Sequence, residues 1–474
     1  MAYDLKSSKA EEFINDELIV KTLAEAKEKA KDKAYIESLI AKAGEFKGLE
    51  APEVAALSYV EDKELLDKMY KTAETIKNHI YGKRVVIFAP LYISDYCING
   101  CTYCGYSHKH KIKRSRLTDE QLREEVEVLE SMGHKRLALE YGEDPVHCDI
   151  DYILNSIKVI YDVKKAHGEI RRVNVNIAAT TVENYKKLKD VGIGTYILFQ
   201  ETYHKPTYEK LHLYGPKSNY EWHTTAHDRA MQAGIDDVGF GALYGLYDWH
   251  YDLLGTFFHA AHMEAVFGVG PHTISVPRIK PAIGTAMQDF PYAVPDEDFK
   301  KLVAIIRMAV PYTGIIMSTR ESQEMRKACL NLGVSQISAG SCTGVGGYSA
   351  LAKGNTEGQV VQFKISDERT PMEILKELLK DGFIPSFCTA CYRAGRTGDR
   401  FMAMAKDGSI SNCCQPNAMV TLKEYAMDYG DDEFKQMADK VINDNLDKIT
   451  NPKVREKAVE YLAKIEEGER DFRW

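Results

Sequence analysis

Residues 1 to about 80 repeat apolar positions at steps of three and four with charges between them, as in DELIVKTLAEAKEKAKDKAYIESLIAKAGEF and DKELLDKMYKTAETIKNHIYG. That period is helical, and the second stretch stops at Gly82. A packed, half-solvated helical extension over residues 1–82 is the expectation. The rhythm then changes. Short runs rich in β-branched and aromatic residues follow at 85–93, 135–143, 171–179, 195–203, 236–246, 272–279, 313–319 and 336–342. Between them lie helical patterns such as TDEQLREEVEVLESMG, with Thr118 as N-cap, and NYEWHTTAHDRAMQAG. Strands alternating with helices in this way predict an α/β fold, a parallel (βα)8 barrel over residues 83–352. A six-stranded doubly wound sheet with extras is the alternative. From 353 the alternation stops, and patterns that are mainly helical run to Trp474, which predicts a C-terminal domain over 353–474.

A length of 474 residues accommodates one barrel with an addition at each end. The net charge of −8 argues against a nucleic-acid partner held by a basic surface. The opening MAYDLKSSKAEEFIND lacks the apolar centre of a signal peptide, and no apolar run of about 18 residues occurs, so a cytoplasmic protein without a membrane span is expected. Ten cysteines in such a chain are not disulfide staples. Cys148, Cys329 and Cys342 stand alone and read as small buried apolar residues. The others form two groups.

The first group is YCINGCTYCGY, in which Cys97, Cys101 and Cys104 are spaced C-x3-C-x2-C in the loop after the first predicted strand. Three thiolates can hold three corners of a 4Fe–4S cube and leave the fourth iron open to an outside ligand. A zinc site completed by His108 or His110 is the alternative. The barrel reading also predicts that polar, Gly-rich chemistry gathers at the C-terminal ends of strands, and this triplet does so.

With Tyr103 preceding its last cysteine, this motif resembles the signature of radical S-adenosylmethionine (SAM) enzymes. The resemblance implies that SAM binds the open iron and yields a 5′-deoxyadenosyl radical. It implies further contacts: Tyr141, Gly142 and Glu143 gripping the methionine amine, Glu201 in FQETY orienting SAM, and Gly239 and Gly241 in GFGALYG beside its ribose and adenine. A strand glycine can equally serve close packing.

The second group is Cys388, Cys391, Cys413 and Cys414. Spacing alone leaves a four-thiolate zinc site open. Together with FQETY, DVGFGALYGLYDW and SVPR, the C-x2-C-x22-C pattern resembles the HydG family, the tyrosine lyases of [FeFe]-hydrogenase maturation, over nearly the whole chain. That family is related to the 2-iminoacetate synthase of thiamine synthesis, which lacks the C-terminal motif.

The resemblance implies that L-tyrosine is cleaved to p-cresol and dehydroglycine. It further implies that CO and cyanide form at a second 4Fe–4S cluster held by Cys388, Cys391 and Cys414, with an extra labile iron and L-cysteine. The product is then destined for the H-cluster, with other maturation proteins and an electron donor as partners. A 2-iminoacetate synthase, or a non-catalytic metal-bearing scaffold, are the competing readings.

Tyrosine's carboxylate suits a bidentate arginine. Arg320 closes the seventh strand segment in MSTR, with Ser318 and Thr319 beside it, and Arg278 is the other candidate. A labile iron suits an imidazole. His272 opens the sixth strand, at the bottom face, where a C-terminal domain could meet it. His259 and His262 are rivals, whereas His223 and His227 read as a solvated or core helix face.

Overall fold

The computed structural model describes residues 2–474. All eight expected strands form: β1 (Arg84–Ser94), β2 (Arg136–Tyr141), β3 (Arg172–Asn176), β4 (Tyr196–Ile197), β5 (Val238–Gly241), β6 (Thr273–Ser275), β7 (Gly314–Met317) and β8 (Gln336–Ser338). Every neighbouring pair is parallel, and β1 pairs with both β8 and β2, so the sheet closes. The fold is a TIM-type barrel, and the doubly wound alternative is excluded.

A ninth strand was not expected. β9 (Ile384–Ser386) pairs in parallel with the first residues of β1, Arg84 to Val86. Three residues containing Pro385 carry too little period to be read as a strand. Through β9 the C-terminal segment is hydrogen-bonded to the barrel at the N-terminal ends of its strands.

Helices cover the outside. Thr118 caps Asp119–Ser131 in a reciprocal capping box with Gln121. The stretch read as one helix after β4 is two, Tyr220–Thr224 and Ala226–Gln232. Thr225 separates them, its hydroxyl donating back to the Glu221 carbonyl at 2.7 Å, a bond that competes with helix continuation. The N-terminal helices include Lys63–Tyr81, which packs on the barrel helix Asp296–Ala309. The C-terminal helices, from Pro371–Lys380 to Pro452–Glu466, sit under the barrel. There Tyr392 meets the Thr195 hydroxyl at 2.9 Å, and the Gly398 amide donates to Asp237 at 3.1 Å.

Candidate functional site

β1 ends three residues before Cys97, and the loop that follows is tied shut at its base. The Arg114 guanidinium donates to the carbonyls of Asp95 (2.5 Å), Tyr106 (2.7 Å) and Ser107 (2.7 Å), while the Asp95 carboxylate accepts from the Ser115 amide at 2.6 Å. Further out, the Gly100 and Thr102 amides donate to the carbonyls of Tyr214 and Leu211. Gly142 lets the end of β2 approach closely, since a β-carbon there would lie 2.3 Å from the Tyr96 carbonyl oxygen. Held in this way, Cys97, Cys101 and Cys104 line one cavity of about 160 Å3 at the C-terminal mouth of the barrel.

Most SAM-contact residues expected from the sequence line the same cavity: Tyr103, Tyr141, Gly142, Glu143 and Glu201. The Tyr103 hydroxyl bonds His212 Nε2 at 2.7 Å, and the Tyr141 hydroxyl bonds Ser156 at 2.6 Å. Glu143 accepts from Asn99 Nδ2 at 2.6 Å; burial pushes its carboxyl up, with Asn99 and Lys217 offsetting part of that. Glu201 has a positive φ of 72°, the left-handed backbone that aims its carboxylate at Lys217 Nζ, 2.5 Å away. Gly239 and Gly241 lie elsewhere. Their absent side chains admit β6, since β-carbons would lie 2.2 Å from Thr273 Oγ1 and 2.1 Å from the Ser275 carbonyl oxygen. Close strand packing accounts for both glycines.

A second cavity of about 90 Å3 runs into the barrel interior and shares Glu140, Asn176, Phe199 and Arg320 with the first. Ser318 and Thr319 line it as well. Arg320 stacks on Phe363, its guanidinium carbon 3.3 Å from the ring centroid, and among the described residues that guanidinium makes no hydrogen bond or ion pair. Burial pulls its pKa down, which marks a cation in want of an anion. Arg278 is the opposite case. It is fully engaged by Glu321, Asp296 (2.7 Å) and the Val294 carbonyl (2.9 Å) and does not reach the cavity.

A third cavity, of about 50 Å3, lies at the other end of the barrel and is lined by Cys388, Cys391, Cys414 and His272. Cys413 does not line it. Gln336 lines both this cavity and the interior one, so the three follow one another along the barrel axis. The His272 ring leans on Phe401, and its Nδ1 lies 3.5 Å from Asp237 Oδ1 without a hydrogen bond. Burial holds the imidazole below its ordinary pKa, and therefore neutral, the form that ligates metals. The rival histidines are used structurally. His262 bonds Asp228 and the Leu5 carbonyl, and His259 bonds Tyr203. His223 and His227 are core residues bonded to the carbonyls of Phe199 and Gly239.

Two basic residues that the sequence reading missed complete the lower cavity. Arg84 and Arg136 open β1 and β2, are each 7% exposed, and have buried Nε atoms with no partner. The available signal was a basic residue at the head of a strand, in GKRVVIF and HKRLALE. Arg136 also donates to the Cys388 carbonyl at 2.8 Å. Burial pushes the Cys391 thiol up to about 12 and the Cys104 thiol to about 11, so metal loading must displace protons. Both thiol groups thus surround a cavity instead of filling it, and the lower one carries buried cations that suit an anionic thiolate cluster. The residues at both ends fit iron–sulfur groups.

The sequence matches the radical SAM superfamily over residues 91–255 and the Biotin and Thiamin Synthesis associated domain over 275–384. The crystal structure of HydG, a maturase of the [FeFe]-hydrogenase, superposes with a TM-score of 0.94 at 58% identity, covering 98% of this chain and 100% of that one. The HydG maturase from Carboxydothermus hydrogenoformans superposes with a TM-score of 0.80 at 38% identity, covering 96% and 99%. The 2-iminoacetate synthase of Salmonella typhimurium is 31% identical over 324 residues, 68% of this chain and 82% of that protein. With the cysteine triplet at the mouth of its barrel and full-length likeness to these maturases, the chain belongs to the HydG family of radical SAM enzymes.

Proposed function

We propose that the protein cleaves L-tyrosine between Cα and Cβ to p-cresol and dehydroglycine, and converts the second fragment to CO and cyanide for assembly of the [FeFe]-hydrogenase H-cluster. One observation carries this reading: the partnerless Arg320 cation stands in a cavity between two cysteine-lined ends of a single barrel. When bound at Cys97, Cys101 and Cys104, a reduced 4Fe–4S cluster with SAM supplies the 5′-deoxyadenosyl radical.

The chain's own part is positioning and exclusion of water. Arg320, backed by Phe363, takes the tyrosine carboxylate in a fork of N–H donors, and Ser318 and Thr319 line the wall beside it. Tyr103, Tyr141, Gly142, Glu143 and Glu201 shape the SAM pocket. At the lower end, Cys388, Cys391 and Cys414 would hold the second cluster, Arg84 and Arg136 would balance its negative charge, and His272 would offer its neutral imidazole to a labile iron, with L-cysteine as a further ligand. Delivery to the hydrogenase calls for other maturation proteins, and reduction of the first cluster calls for an electron donor.

The test is anaerobic turnover of the iron-reconstituted protein with SAM, tyrosine and dithionite. p-Cresol, cyanide and CO are expected together, from protein holding about eight or nine irons per chain. Tyrosine cleavage without cyanide, at about four irons, would instead support a 2-iminoacetate synthase. Absence of both p-cresol and 5′-deoxyadenosine would refute a lyase.

A further inference from the structure

Glu140, the last carboxylate-bearing residue of β2 before Tyr141, has no part in the account so far. Like Arg320, it lines both the upper cavity and the interior one. Its Oε1 accepts a hydrogen bond from Asn176 Nδ2 at the end of β3. Among the described residues nothing donates to its Oε2, and the Oδ1 of Asn176 is buried without a partner. Both residues line the cavities, and the Glu140 carboxylate keeps one oxygen without a donor there.

The charged and titratable groups facing Glu140 are few. Arg320 comes from beyond β7, Tyr92 from β1, and Tyr106 from the cysteine loop. Lys217, the other cation in the upper cavity, is paired to Glu201. Arg320 forms no ion pair with Glu140. A lone cation and a lone carboxylate thus share one cavity without touching, which is the complement of a zwitterion.

We propose that Glu140, oriented by Asn176, receives the α-ammonium group of the amino-acid substrate and accepts one of its protons. This rests on the tyrosine reading above. The ammonium and carboxylate of an amino acid hang from the same carbon, so a carboxylate seated on Arg320 leaves the ammonium beside it, within the cavity that Glu140 faces. The interior cavity, whose lining reaches Gln336, is then left for the phenol.

In the transfer one N–H bond breaks heterolytically, its electron pair stays on nitrogen, and an O–H bond forms on Glu140. Nothing is oxidised or reduced. The product is a neutral amine. The family resemblance implies that the radical takes its hydrogen atom from the substrate's amino group; from an ammonium this would leave a radical cation in a buried site, whereas from the amine it gives a neutral radical. Burial raises the Glu140 carboxyl to about 8, with Asn176 and Arg320 offsetting part of that, so the group exchanges protons with solvent near neutral pH, and it is the ionised form that takes the proton from the ammonium.

The test uses the full-length, anaerobically reconstituted enzyme with SAM, and compares tyrosine, phenylalanine and 3-(4-hydroxyphenyl)propionate, which lacks the amino group. The unaltered enzyme is expected to bind tyrosine more tightly than the des-amino acid, on the order of 10- to 100-fold. Glu140→Gln, which keeps shape, should erase that preference while retaining the preference for tyrosine over phenylalanine. Glu140→Asp, which keeps charge, should retain part of it. In Glu140→Gln, 5′-deoxyadenosine formation from tyrosine should also recover as pH rises and solvent supplies the free amine.

Two outcomes overturn the proposal: a Glu140→Gln enzyme that still favours the amino group, or one that loses its preference for the phenol instead. If the unaltered enzyme makes no p-cresol, the tyrosine reading fails. If it makes p-cresol and Glu140→Gln keeps the amino preference, the role of Glu140 fails alone.

Discussion

The two ends of the barrel assemble three thiols in opposite ways. The upper set comes from eight consecutive residues of one loop, clamped by Arg114 and by the close approach that Gly142 permits. The lower set is gathered from separate places: Cys388 and Cys391 just after β9, Cys414 in the first turns of the helix Ser411–Tyr429, and His272 at the head of β6. A contiguous loop carries its own geometry, whereas the lower set exists only when the C-terminal segment is docked. The upper end pairs its one lysine with Glu201 and leaves Arg320 for a ligand, whereas the lower end leaves two buried guanidinium groups, Arg84 and Arg136, without an ion pair among the described residues. The same element of chemistry is thus built once by local sequence and once by tertiary structure.

The largest expected effect follows directly. Cys101→Ser should abolish 5′-deoxyadenosine, p-cresol and cyanide alike, whereas Cys388→Ser should abolish cyanide and CO and leave p-cresol within about threefold of the unaltered rate. Quantifying all three products in each variant checks this. Equal loss of p-cresol in both would erase the distinction between the two ends.

The second contrast is between the free arginine and the engaged one. Arg320→Met should raise KM for tyrosine by roughly 100-fold, because a charge-assisted fork contact is lost, with little change in melting temperature. Arg278→Met should do the reverse. It leaves Glu321, which is 1% exposed, with only the distant Lys280 cation at 3.9 Å, and should destabilise the fold by about 3 kcal/mol. Steady-state kinetics and thermal melts on the pair measure both halves.

The smallest expected effect concerns acid. Burial holds His212, behind Tyr103 at the upper end, at about 3, and His134 and His227 in the barrel wall at about 4. All three sit below the ordinary value of about 6.5. At these three residues the unfolded chain binds more protons than the folded one between about pH 6.5 and 4, and their contribution to stability falls as pH drops through that window, while the raised carboxyls of Glu130 and Asp252, each at about 7, contribute in the opposite sense. The loss should be at most about 1.4 kcal/mol per pH unit for each histidine, visible when the pH dependence of the melting temperature from pH 7 to pH 5 is compared between the metal-free protein and its His134→Gln form.

What could be read from the sequence divides along the same line. The strands were legible because each carries its own apolar run, and Thr118 was legible because a capping box is local. The upper cysteines were legible as a motif, and Arg320 as the end of a strand. β9 was not, since its pairing with β1 is made across some 300 residues and leaves no period in three. Nor were Glu140 and Asn176, single polar residues closing strands that look like any other. Gly239 and Gly241 were read toward a cofactor because glycine spacing does not say which neighbour comes close; here it is β6. The choice between Arg320 and Arg278 needed three dimensions, because only the fold reveals that Glu321 and Asp296 already occupy Arg278.

β1 has one further consequence. Arg84, its first residue, lies in the lower cavity, and its last, Ser94, leads into the upper cysteines. A single extended segment of on the order of 30 Å is therefore the yardstick between the two cysteine-lined ends. Because successive residues of a strand face opposite ways, adding or deleting one residue within it would turn every later side chain about and uncouple the ends, even with every ligand still present. The spacing of the two cysteine-lined cavities is thus written into the backbone of one strand.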